Sequence, residues 1–135
     1  MKNSRLTLLA VFPAFPAVRT TAVTVFLAAL LAACAGAPAR MEGGALVGAT
    51  GMTLYTFDND KAPGKSVCNG QCAINWPPLM ASDNASPSGD YTIITRDDGK
   101  KQWALKGKPL YYWVKDQKPG DKTGDNVNKV WHVAN

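Results

Sequence analysis

Histidine, glutamate and cysteine are nearly missing from this chain of 135 residues, which carries one histidine (His132), one glutamate (Glu42) and three cysteines (Cys34, Cys68, Cys72). Each shortage excludes some chemistry. A lone histidine beside Trp131 leaves no nucleophile and base pair, and no G-x-S-x-G occurs, so a hydrolase finds no support. With Glu42 far upstream, neither Asp58 and Asp60 nor the segment from Asp121 to Asp125 ends in the bidentate glutamate of a calcium loop. There is no C-x-x-C-H for haem attachment and no glycine-rich phosphate loop. No resident metal and no cofactor are expected, and the residues point to a non-enzymatic protein.

Basic charge is also scarcer than it looks. The formal net charge is +5, from 15 Lys and Arg against 10 acids, but Lys2, Arg5 and Arg19 all precede residue 34. Without them 12 bases face 10 acids, and the aromatics are not interleaved with lysine, so no nucleic-acid partner is expected.

Those three charges belong to a leader. Residues 20–33 form an uncharged apolar or small run, too short to span a bilayer comfortably, as in a bacterial export signal over residues 1–33. The run ends in Leu31, Ala32, Ala33 and Cys34, which resembles the lipobox of bacterial lipoproteins. That resemblance implies cleavage before Cys34, a diacylglyceryl group on its thiol, and a membrane as partner. Ala35, in place of the aspartate associated with inner-membrane retention, implies for a Gram-negative host the outer membrane, on its periplasmic or surface side.

The 102 residues from Cys34 onward make one small domain whose core would gain from a covalent staple. Once Cys34 is lipidated, Cys68 and Cys72 remain as an even pair in an oxidising compartment, the condition for a disulfide. Two sharper uses stay open: a redox-active pair, or copper capture with His132 and Met52 or Met80.

No helical period persists beyond the leader, so the domain at 45–135 is expected to be mainly β. Residues 34–44, small and rich in glycine, are expected to be a flexible tether. Residues 45–51 and 52–57 read as short strands, with Leu54 facing away from Tyr55 and Phe57. A short helical turn is expected after Gly70, and Pro77 with Pro78 forces the chain extended. After a polar loop at 81–90, residues 91–96 and 101–106 flank Asp97, Asp98 and Gly99 as a hairpin. The meander continues through 110–114, and a last strand closes at 130–133.

The strongest internal signal is a duplication. Residues 51–60 and 107–116 both read G-x-x-L-Y-x-(aromatic)-x-x-D, and a tryptophan follows the tyrosine by 21 residues in one copy and 20 in the other. Two pseudo-repeated β-meander units, about 45–80 and 91–134, follow, neither able to bury its apolar face alone. Tyr55 with Phe57, and Tyr111 with Trp113, share a strand face. They form either a core packed on the repeat anchors Trp76 and Trp131, with Asp60 and Asp116 capping turns, or a platform for a flat ligand such as a sugar or a quinone.

These residues resemble the bacterial secreted-repeat lipoproteins named for a Y-x-(F/W/Y)-x-x-D motif. Tyr55, Phe57 and Asp60 match it once, and Tyr111, Trp113 and Asp116 match it again. The stretches from Cys68 to Leu79 and from Val130 to Val133 are also similar to that family. The resemblance implies a lipid-anchored envelope protein with no agreed reaction. It also implies a weak link to hydrocarbon (alkane) utilisation and leaves any partner protein or small aromatic or sugar ligand unspecified.

Overall fold

The computed structural model describes residues 36–135. The expected export signal over residues 1–33 and Cys34 lie outside the described residues. Within them the chain is mainly β: strands β1 (Arg40–Glu42), β2 (Ala45–Val47) and β3 (Tyr55–Phe57) precede a short helix α1 (Gln71–Asn75). Strands β4 (Tyr91–Thr95), β5 (Lys101–Leu105) and β6 (Lys108–Pro109), a 3-10 turn at Val127–Lys129 and strand β7 (Trp131–Val133) complete it. The pairings are antiparallel: β1 with β2, β3 with β7, and β4 with β5 and β6. Among the described residues no helix is long and apolar enough to cross a membrane.

Turn chemistry sets the hairpins. Gly43 and Gly44 adopt φ of 56° and 76° between β1 and β2, a left-handed pair that a two-residue hairpin loop requires. Lys106 and Gly107, at 50° and 79°, do the same between β5 and β6.

The two repeats exchange their ends. In the second repeat's tail, Leu46 N donates to Ala134 O (2.7 Å), Ala134 N to Leu54 O (2.9 Å) and Asp58 N to Val130 O (2.8 Å). In the first repeat's tail the same set recurs: Trp103 N donates to Leu79 O (2.8 Å), Leu79 N to Leu110 O (2.8 Å) and Val114 N to Asn75 O (3.1 Å). The last segment of each repeat therefore completes the hydrogen bonding of the other. Between them Tyr55 and Tyr111 pair directly, each N–H donating to the other's carbonyl at 2.8 and 3.0 Å.

Two apolar clusters lie on opposite sides of this central pairing, because neighbouring strand residues point opposite ways. Leu54 and Leu110, both fully buried, enter one cluster with Ala39, Leu46, Leu79 and Ala134. Tyr55 and Tyr111 enter the other with Cys68, Trp76 and Trp131.

Two expectations need correction. The tether does not reach residue 44, because Arg40–Glu42 pairs with Ala45–Val47 and Ala39 is buried in the core. Gly43 and Gly44 form the hairpin turn between these two strands. Residues 110–114 are not a strand either: Tyr111 makes only isolated bridges, one of them to Pro78. Prolines have no N–H to extend a ladder, so this pairing stops where its counterpart, β3 with β7, continues over three residues.

Candidate functional site

The motif residues converge at the centre of the molecule. Tyr55 Oη donates to Oδ2 of Asp116, and Tyr111 Oη donates to Oδ2 of Asp60, each at 2.6 Å. The tyrosine of each repeat is thus held by the aspartate of the other. The remaining carboxylate oxygens close local loops of equal length. Asp60 Oδ1 accepts from Val67 N (2.7 Å), and Asp116 Oδ1 accepts from Thr123 N (2.9 Å) and Thr123 Oγ1 (2.6 Å). Capping was legible in the sequence; the crossed tyrosine bonds were not.

Burial and these bonds shift the titrating groups. Desolvation, reinforced by the carboxylate each one faces, drives the Tyr55 and Tyr111 hydroxyls far above the usual phenol range, so both remain donors. Desolvation also raises the Asp60 carboxyl, opposed by its bonds from Tyr111 and Val67 and by the Arg96 charge.

Four rings stack beside the tyrosines in alternating repeat order. Phe57 lies on Trp131 (centroids 4.1 Å), Trp131 on Trp76 (3.7 Å, 4° between planes) and Trp76 on Trp113 (4.0 Å). Tyr55 meets Trp76 edge-on at 5.5 Å, and Tyr111 meets Trp131 edge-on at 5.2 Å. Gly124 permits this closeness, since a Cβ there would stand 2.9 Å from both the Trp76 and Tyr55 rings. The inner rings and both tyrosines are buried, so no face of theirs is open to a flat ligand.

Cys68 and Cys72 are joined by a disulfide with Cα atoms 5.2 Å apart. Arg96 holds this loop from below. Its side chain is only 3% exposed, and it donates to Cys68 O (2.6 Å), Asn69 Oδ1 (3.2 Å), Gln102 Oε1 (2.6 Å) and Ser66 Oγ (3.0 Å). Ser66 Oγ in turn lies 2.7 Å from Tyr111 Oη. A chain of polar contacts therefore runs from the disulfide loop to Asp60. Sequence reading missed Arg96, Gln102 and Ser66. One signal was available: Arg96 follows Ile94 at the strand period of two, on the buried face.

A family model described as a secreted repeat of unknown function matches residues 36–80 and again residues 92–135. The chain belongs to that family. The two matches fall on the two halves that exchange tails, and the first begins upstream of β1. No curated protein and no solved structure matches this secreted repeat.

The other residues singled out in the sequence of this secreted repeat stand apart. His132 Nε2 lies 2.9 Å from Asp58 Oδ2 on the surface. Met52 lines a cleft of about 260 Å³ with Tyr112, Trp113 and Asp116, whereas Met80 lines a different groove beside Trp103. Among the described residues no three of His, Cys, Asp and Glu are grouped as a metal would need.

Proposed function

We propose that this secreted repeat is a non-enzymatic module of the cell envelope, anchored by lipid on Cys34 to the outer membrane, with a role in binding or envelope maintenance. The observation that carries the non-enzymatic part is the reciprocal pairing of Tyr55 with Asp116 and Tyr111 with Asp60. The motif spends its hydroxyls and two carboxylates on each other and its indoles on one another, which supports a motif kept for folding. A ligand would instead use the cleft of Met52, Tyr112 and Trp113, where Trp113 is half-buried and the lining is mostly apolar.

Mass spectrometry of the mature protein tests the anchor. Acyl mass on Cys34, and accumulation of the uncut precursor under globomycin, are expected; a free Cys34 thiol in mature protein rejects the anchor.

The redox or copper reading is disfavoured by the Arg96 bond to the Cys68 carbonyl and by the lack, among the described residues, of any grouping of three His, Cys, Asp or Glu side chains. A reduction potential below about −300 mV with no Cu(I) bound is expected of a structural bridge. A potential near those of known disulfide oxidants would reverse this assignment.

A further inference from the structure

The short reach between the anchor and the fold restricts how the domain can sit on its membrane. Ala39 is already core, packed with Leu46 and Leu54, and its carbonyl accepts from Tyr91 Oη at 3.3 Å. Gly36 and Pro38 line a groove of about 630 Å³ together with Met80, Ser82, Ser86 and Trp103. From Cys34 to Gly36 is two residues, at most about 7 Å of extended chain. Whatever lipid Cys34 carries is therefore delivered to the rim of this groove.

The groove's chemistry suits that neighbour. Met80 is 44% exposed and Trp103 is half-buried, an apolar floor with an amphipathic indole of the kind that settles at a bilayer interface. Its serine hydroxyls can bond to glycerol and phosphate oxygens, and among the described residues no carboxylate lines it to repel an anionic headgroup. Asp83, adjacent in sequence, stands 3.9 Å from the Lys101 ammonium.

We infer that the groove between Pro38 and Trp103 rests on the lipid headgroups of the anchoring membrane, so that the domain is docked face-down and does not swing on a tether. This inference rests on the proposed lipidation of Cys34. Trp103 packs against the cluster of Leu54 and Leu110, whereas Trp76 and Trp131 belong to the other cluster, so Ile74 (66% exposed), in the helix just before Trp76, is then held away from the bilayer.

The test uses the intact lipoprotein, purified from membranes and reconstituted into phosphatidylethanolamine and phosphatidylglycerol vesicles. Nitroxide labels are placed through Ser86→Cys and, separately, Ile74→Cys, both exposed positions in a chain whose other cysteines are lipidated or bridged. The Ser86 label is expected to be relaxed by oxygen and shielded from an aqueous nickel chelate, and the Ile74 label to show the reverse. Adding Met80→Glu is expected to reduce the oxygen preference at Ser86. Equal accessibility at both sites, or lipid contact at Ile74, would overturn the inference. So would dipolar broadening between Ser86 labels without oxygen preference, which would mean that a second copy fills the groove. The mass of the same sample separates the two levels: lipid present with no contact at Ser86 defeats the docking alone, whereas absent lipid defeats the anchor and the docking together.

Discussion

Tyr55 of the first repeat and Asp116 of the second share a buried hydrogen bond of 2.6 Å, and Tyr111 and Asp60 return it with the repeats reversed. Each half thus supplies the partner that the other half's buried hydroxyl needs. An isolated repeat would bury a tyrosine hydroxyl beside no carboxylate, and that penalty ties the two halves into one cooperative unit.

Removing one hydroxyl should therefore be felt by the whole domain. Hydrogen bonds to a charged group contribute roughly 1.5–3 kcal/mol, so Tyr55→Phe should lower the urea unfolding free energy by about 2 kcal/mol. Tyr111→Phe should lower it further, because Ser66 Oγ also loses a partner. A loss under about 0.5 kcal/mol in both variants would contradict a folding role for the motif.

The stacked tryptophans should respond as core. Trp76→Ala or Trp131→Ala removes a ring sandwiched on both faces and should cost about 3–5 kcal/mol, with loss of the near-ultraviolet circular dichroism of the stacked pair. Phe57→Leu, at one end of the stack, keeps most of its volume and should cost less than about 1.5 kcal/mol.

Alkaline pH should unfold the protein through the same two tyrosines. Their folded values lie above the ordinary phenol value, so the native state holds those protons more tightly than the unfolded chain does. Their contribution is complete below pH about 10 and is lost above it, at roughly 1.4 kcal/mol per tyrosine per pH unit. Phenolate absorbance should rise in two stages, with Tyr55 and Tyr111 appearing only as circular dichroism reports unfolding. Titration of all four tyrosines in the native protein would refute this.

Arg96→Met should destabilise by about 2–4 kcal/mol, because Ser66, Gln102 and the Cys68 carbonyl would lose a buried donor together. Hydrogen exchange should show increased opening at residues 66–72 before the β4 and β5 hairpin loosens. Uniform loosening of the whole chain would argue against a local clamp.

The strands at Ala45–Val47, Tyr55–Phe57 and Trp131–Val133, the β4 and β5 hairpin around Asp97 to Gly99 and the helical turn after Gly70 were legible because turn residues and alternation act over a few positions. The duplication was legible as repeated spacing, and with it the equivalent surroundings of Tyr55 and Tyr111. The strand at Arg40–Glu42 was hidden, since a Gly-Gly pair signals flexibility and a left-handed hairpin turn equally well until a partner strand is known. Arg96 was hidden because a charged residue is read as surface unless its acceptors, drawn here from positions 66 to 102, are already assembled.

By itself the sequence determined that this protein is a small, mainly β domain made of two copies of one motif, each with a tyrosine, a second aromatic, an aspartate and a trailing tryptophan. Those are matters of local periodicity and spacing. Only the tertiary structure decided which copy's aspartate meets which copy's tyrosine, since a repeated pattern is equally compatible with partners inside a copy and partners across copies. Burial resolves that ambiguity: with the tails exchanged, each phenol and each carboxylate finds its complement in the other half, and the four rings close between them.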